Sequence, residues 1–209
     1  MLFAAAVTLA GCKKGPPVKP SFTSDTYLPL TKGNTWIYND NSGGFKDTQT
    51  LSVTGATTQI NGKTYHDLNV QSQDDGPEIG YFYAGDHTYA LREVSPDSSI
   101  TLELQLGDDN QDVGYSWMSF PTDDGKVEGY PARLINTIRE KGISKMINGR
   151  NYDNVIHTQA ELQYDVGNGY TTTGTYDFFL AKGVGLIAED LVIDGAIYES
   201  QTLSSYTIK

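Results

Sequence analysis

The chain has 209 residues, with 15 Lys and Arg against 26 Asp and Glu and a formal net charge of −11. Phosphate binding needs clustered Lys and Arg, so this balance excludes nucleic acid as a partner class. A single cysteine allows no internal disulfide.

Residues 1–12 read MLFAAAVTLAGC. Leu2 to Ala10 is an uncharged apolar run of signal-peptide length, too short to span a bilayer. It ends in Leu9-Ala10-Gly11-Cys12, which resembles the bacterial lipobox, a Leu followed by two small residues and a Cys. The resemblance implies a signal peptide over residues 1–11. It also implies a mature chain that starts at Cys12, with lipid on the thiol and an acyl chain such as palmitate on the new amino group. No Lys or Arg precedes the apolar run, a departure from the pattern that leaves open whether Met1 is the true start. Two or more acyl chains anchor stably, where one gives only marginal binding.

Residues 12–26 form the lipidated Cys and a flexible tether. Pro16, Pro17 and Pro20 favour extended polyproline II, and Lys13, Lys14 and Lys19 suit anionic headgroups. By resemblance to known lipoprotein sorting, the absence of Asp after Cys12 implies the outer membrane, and the lack of an acidic run implies a periplasm-facing body. The bilayer is then the first partner, reached through acylated Cys12.

The body, 27–209, is about 180 residues, enough for a good core in one large or two small domains. It reads as two tandem copies, about 30–106 and about 111–203. Gly33-Asn34-Thr35-Trp36 matches Gly114-Tyr115-Ser116-Trp117, and these are the only two Trp in the chain. The stretch 49–65 matches 136–152, with Gly55 on Gly142, Ile60-Asn61-Gly62 on Ile147-Asn148-Gly149 and Tyr65 on Tyr152. Then Tyr81-Phe82-Tyr83-Ala84 matches Phe178-Phe179-Leu180-Ala181. The order is kept, as loop insertions in a second copy would leave it.

Each copy reads as β. Asn61-Gly62, Asn148-Gly149 and Asp194-Gly195 are type I′ hairpin turns, whose central residues both need φ > 0. Ile100, Leu102, Leu104 and Leu106 alternate as in a half-buried strand. Residues 132–147 mimic a helix, but their counterpart at 44–60 is rich in Thr and β-branched residues, which favours strand. The expected fold is all-β, an antiparallel barrel or sandwich of about ten to twelve strands. Trp36 and Trp117 are expected in equivalent buried places, one opening each copy. The opening YLPLTKGNTWIY and the segment AKGVGLI at 181–187 resemble motifs of uncharacterised envelope lipoproteins, a resemblance that implies no activity. Gly183 and Gly185 suggest a bulge or a close backbone approach.

No enzyme signature is present. His66, His87 and His157 have no paired zinc spacing, and there is no Gly-x-Ser-x-Gly elbow, P-loop or dinucleotide fingerprint. Catalytic residues and cofactors are therefore expected to be none. Asp108, Asn110 and Asp112 stand at positions 1, 3 and 5 of a calcium-loop pattern, but Val113 replaces its Gly and Ser119 its Glu, so the stretch reads as a linker between copies. Two roles follow: a non-enzymatic envelope lipoprotein that serves structure or binds an envelope protein, or a carrier of a small apolar or glycan ligand. An unfilled apolar interior would distinguish the second from the first.

Overall fold

The computed structural model describes residues 25–73, 77–94 and 101–209. The signal peptide, Cys12 and most of the tether therefore lie outside the described residues. The strands are β1 (Thr35–Ser42), β2 (Phe45–Ile60), β3 (Lys63–Gln71), β4 (Glu78–Gly85), β5 (Thr88–Val94), β6 (Thr101–Asp108), β7 (Ser116–Ser119), β8 (Lys126–Val127), β9 (Tyr130–Ile147), β10 (Arg150–Asp165), β11 (Tyr170–Ala181), β12 (Gly185–Ile193) and β13 (Ala196–Thr207).

The strands form one antiparallel sheet in the order β6-β5-β4-β3-β2-β1-β13-β12-β11-β10-β9-β7, with β8 paired to β9. Each half is thus a meander, and the halves join where β1 meets β13. The sheet curls into a nearly closed barrel, as twisted sheets of this width do. Its free end β6 packs on β9, β10 and β11. Gly107 lies so close to β10 that a Cβ there would stand 3.2 Å from Thr158 Oγ1. One backbone bond spans the second seam, from Glu103 N to the Pro121 carbonyl at 2.8 Å.

The local signals act as expected. Asn61, Asn148 and Asp194 all have positive φ, at 51°, 49° and 51°, each followed by a positive-φ glycine. Residues 132–147 are strand, because their apolar residues alternate: Ala132, Leu134 and Ile138 are all fully buried. In both long hairpins a glycine breaks the ladder. Gly55 (φ 86°) falls at the register shift between Val53 and Thr57, and Gly142 (φ 72°) opposite the shift between Val155 and Ile156. Such bulges bend a strand and sharpen its twist.

Beyond its bulge each hairpin becomes an arm that packs over neighbouring parts of the barrel. In the first, Lys63 Nζ reaches Glu103 Oε1 at 3.1 Å, Asn61 Nδ2 reaches Asp123 Oδ1 at 2.8 Å, and Tyr65 packs on Tyr83 with ring centres 5.5 Å apart. In the second, Lys145 Nζ sits 3.4 Å over the Phe179 ring and Asn148 Nδ2 donates to the Leu203 carbonyl at 3.0 Å.

The core sits at the end where the chain enters. Trp36, Phe82, Phe178, Leu180 and Leu106 are fully buried there. Trp36 meets Phe82 edge to face at 6.0 Å and donates from Nε1 to the Val184 carbonyl at 2.6 Å. Gly185 makes this possible. Its φ is +118°, and a Cβ would lie 2.9 Å from Trp36 Nε1.

The two Trp are not equivalent in burial. Trp36 is 0% exposed, whereas Trp117 is half-buried and stacks on Tyr115 at 5.9 Å. The reason is position. Trp36 lies on a strand flanked by β2 and β13, while Trp117 lies on β7, a four-residue edge strand with β9 as its one partner in the sheet order.

Trp36→Ala is expected to cost about 3–5 kcal/mol in urea unfolding, and Trp117→Ala only about 1–2 kcal/mol. Gly185→Ala is expected to cost about 3 kcal/mol from clash plus strained φ, against about 1 kcal/mol for Gly149→Ala, where a Cβ meets open space. Equal losses at Gly185 and Gly149 would contradict the role of the Trp36 contact.

Candidate functional site: an acidic mouth

The barrel interior has two chemically distinct ends. At the entry end, Gly183 N donates to the Thr26 carbonyl at 2.8 Å and Tyr27 packs against Tyr89. This is the end at which β1 starts. At the far end, where β1 finishes, the alternation that places Trp36 and Tyr38 inward places Asp40 inward as well. The neighbouring strands do the same. Glu78 on β4, Glu93 on β5, Glu189 on β12 and Glu199 on β13 act on one another across the same space. Gln201 and Gln49 bond across the β1 strand between them, at 3.1 Å.

Burial pushes the Glu93 carboxyl up to about 7, helped by Glu199, Glu78 and Asp40. Glu189 is raised well above the usual carboxylate range, first by burial and then by Glu93, Glu199, Asp40 and Asp190. Burial also raises Glu199, with Asp40 adding to it, and raises Asp40, with Asp47 adding to it. The side chains still touch water. Glu93 is exposed, while Glu189, Glu199 and Asp40 are half-buried. They therefore line a wet mouth walled by protein, in which charge is poorly screened. Tyr176 of β11 faces the same acids, and burial followed by Glu189 and Glu199 raises its hydroxyl. Tyr38 floors the mouth, fully buried, with its hydroxyl donating to the Leu186 carbonyl at 2.9 Å.

The residues singled out from sequence lie elsewhere. Asp108 accepts from the backbone N of Asn110 at 2.9 Å, closing its own loop. Asp112 accepts through its carbonyl from Tyr115 N. Lys141 Nζ donates to the carbonyls of Asp109 and Gln111, at 2.8 and 3.0 Å, so an ammonium already occupies the concave side of this loop. Among the described residues, no group of three or more His, Cys, Asp or Glu is placed to hold a metal ion.

His87 and His157 are engaged rather than free. His87 Nδ1 meets Asp109 Oδ1 at 2.6 Å, and the other oxygen of Asp109 accepts from Tyr89 at 2.6 Å. His157 is more enclosed than a surface polar residue. It stacks on Phe179 at 4.3 Å and bonds Asp177 through Nε2 at 2.6 Å and Glu140 through Nδ1 at 3.1 Å. Burial pushes Asp177 up, but the His157 bond and charge hold it below the usual carboxylate range. Both ring nitrogens of His157 are taken up by carboxylates, so neither is free to activate a nucleophile. On the opposite half, Arg92 is buried and forks onto Asp123 at 2.9 and 2.6 Å, with Glu103 at 3.2 Å. That network fastens the loop after β7 to the outer face of β5.

Comparison with known proteins bears on the fold. No family model matches the chain, and no curated protein matches it. Several solved structures do, two of them as follows. One, from Bacteroides fragilis, is designated an exported protein with a YmcC-like fold; it is 8% identical, with a TM-score of 0.52, over 87% of this chain and 98% of its own. The other, from Parabacteroides distasonis, is designated a lipoprotein; it is 10% identical, with a TM-score of 0.52, over 88% of this chain and 99% of its own. The class is therefore an all-β, nearly closed barrel similar to the YmcC-like fold. At these identities the likeness is one of fold.

The mouth has a consequence for stability. A carboxyl whose pKa is raised by folding holds its proton more firmly in the native state. Its stabilising contribution is complete below the unfolded value and is lost as pH rises through the folded one. For Glu93 that window runs from 4.5 to about 7. Asp123 and Asp177, held low by Arg92 and His157, act in the opposite sense only in more acidic solution. Melting temperature is thus expected to peak at about pH 5 and to fall towards about pH 8. The double substitution Glu93→Gln with Glu189→Gln should flatten that decline. A parent profile flat across this range would show that the acids do not interact as their positions imply.

Proposed function

We propose that this chain is a membrane-anchored, non-enzymatic lipoprotein of the outer membrane, facing the periplasm, whose β body serves a structural or protein-interaction role in the cell envelope. The observation that carries this reading is where the chain enters the fold. Asp25 to Leu28 dock at one end of the barrel, where Lys182 pairs with Asp25 at 2.5 Å and Tyr27 and Leu28 are buried. The tether leading back to Cys12 therefore leaves from that end. The acidic mouth then points away from the membrane, towards whatever the body meets.

The filled apolar half of the interior supports an interaction module over a carrier. A carrier of apolar ligands needs empty apolar volume, and here Trp36, Tyr38, Phe82 and Phe178 pack that volume with almost no exposure. The designations of the two similar structures, exported protein and lipoprotein, are in keeping with a place in the cell envelope. We also read the body as a tandem duplication, about 30–106 and 111–203. In support, Gly33 and Gly114, Gly55 and Gly142, and Asn61 and Asn148 pair off as positive-φ residues at matching places in the two meanders.

The test of the anchor is direct. Cys12→Ser should move the protein from the membrane to the soluble fraction, and metabolic labelling with palmitate should be lost. If the variant partitions with membranes as the parent does, the anchor assignment is wrong.

A further inference from the structure

The far-end mouth has a lip. Phe45, Ile193, Ile197 and Tyr198 are 84%, 36%, 64% and 55% exposed. They occupy two neighbouring turns, β1–β2 and β12–β13, which are joined by a bond from Gly43 N to the Tyr198 carbonyl at 3.0 Å. Ile193 pairs with Ala196 and Val192 with Ile197 across the second turn. Large apolar side chains gathered on adjacent turns at the rim of a concavity mark an interaction surface. These strands are also the ones that carry Asp40, Glu189 and Glu199 just inside the rim.

We propose that this lip and mouth dock a basic polypeptide segment of a partner protein, one that carries apolar side chains beside its Lys or Arg residues. The inference rests on the reading above, in which the mouth faces away from the membrane and meets a protein. Charge complementarity selects the occupant. The charged groups that act on Glu93, Glu189 and Glu199 are all carboxylates, and concave walls of one sign focus their field on an incoming cation. Asp40 Oδ1 is buried without a hydrogen-bond partner, so one acceptor of the cluster is left unpaired in the free protein. An anionic lipid surface would be repelled by the same field, and so would a second copy of a chain with net charge −11.

The acids also give the docking a pH signature. A cation favours the ionised carboxylates, so binding releases protons from groups that hold them at mildly acidic pH. The groups facing this space are Asp40 and Asp47 on β1 and β2, Glu78 and Glu93 on β4 and β5, Glu189 and Glu199 on β12 and β13, Tyr164 on β10 and Tyr176 on β11, while Asp190, bonded to Ser200 on the opposite face, adds its charge to Glu189. Affinity should therefore rise as pH increases through about 7, the value to which Glu93 is pushed.

The experiment uses the full chain bearing Cys12→Ser and a fluorescent peptide of alternating Lys and Leu, read by anisotropy. Binding is expected, tighter at neutral than at mildly acidic pH. It should be about tenfold weaker for a Lys–Ser peptide, which lacks the apolar contacts, and absent for a Glu–Leu peptide. Asp40→Asn with Glu199→Gln, and separately Phe45→Ser with Ile197→Ser, should each weaken the Lys–Leu peptide by about tenfold or more. Melting curves confirm that each variant is folded. The lip pair is a safe second probe, because both side chains are largely exposed. The proposal is overturned by any of four results: no binding of the Lys–Leu peptide, equal binding of the Glu–Leu peptide, binding unchanged in both folded variants, or capture of anionic phospholipid vesicles in preference to the peptide. Cell fractionation of the parent and of Cys12→Ser reads the anchor independently, so a failed docking leaves the anchoring assignment to its own test.

Discussion

The indole of Trp36 and the carbonyl of Val184 are 148 positions apart in the chain and 2.6 Å apart in space. Most of the entry end depends on that contact. It draws the β11–β12 turn over the mouth of the first strand, and the Tyr38 hydroxyl repeats the link one step along, at the Leu186 carbonyl. The turn in turn receives the incoming chain: Gly183 N holds the Thr26 carbonyl, and Lys182 holds Asp25. Asn34 finishes the arrangement by donating to the Pro29 carbonyl and accepting from Lys209 N, so both ends of the described chain are tied to one residue. A buried indole N–H needs an acceptor. Here the acceptor can come so near only because residue 185 has no Cβ.

The two seams of the barrel differ for the same reason. Where β1 meets β13, a full ladder and the Trp36 contact fasten the halves. Where β6 approaches β9, β10 and β11, closure comes from side-chain packing, the Arg92 and Asn61 bonds to Asp123 and, among the described residues, one backbone bond from Glu103 to Pro121. The counterpart of the Gly183–Gly185 turn in the first half is the tight Asp86-His87 turn, which sends its carbonyl to Asp109 N rather than to an indole. Trp117 therefore has no carbonyl drawn over it and stays half-buried. One sequence motif, Gly-x-[Thr/Ser]-Trp, thus gives two different environments, because burial is decided by the strand across the seam.

What was legible in the sequence was local or periodic. Asn61-Gly62 and Asn148-Gly149 announced hairpins because their backbone demands are intrinsic. The strand at 132–147 was recoverable because its counterpart at 44–60 rejects helix. The Gly-Val-Gly segment signalled a close approach, although not that the approaching atom was Trp36 Nε1. The mouth was not legible. Asp40, Glu78, Glu93, Glu189 and Glu199 come from five strands, and each taken alone resembles an ordinary solvent-facing acid. The one local hint was Glu189, which breaks an otherwise apolar run, Gly-Leu-Ile-Ala-Glu, at a position whose alternation with Ile187 points inward. The folded-back arms were equally hidden. Gly55 and Gly142 announce bulges, but the direction of the bend depends on what lies beneath, and Phe179 and Tyr83 supply that only after the sheet has formed.

Both ends of the interior are built from the same alternation, and they pull stability in opposite directions. At the entry end, inward positions carry Trp, Phe and Leu, and their burial drives the fold. At the far end, inward positions carry carboxylates whose mutual repulsion works against it at neutral pH. Nothing in strand geometry requires this, since Val or Thr at the same positions would satisfy the pleat and remove the repulsion. Sequences that specify a fold keep local and global preferences in agreement, and departures concentrate where a function needs them. A mouth that is destabilising when empty is one whose occupant can return the difference as binding, because an incoming cation relieves repulsion already present in the free protein. The same reasoning explains why the apolar half must be packed so tightly around Trp36. The barrel carries an uncompensated charge cluster at one end, and the well-filled core at the other offsets its cost.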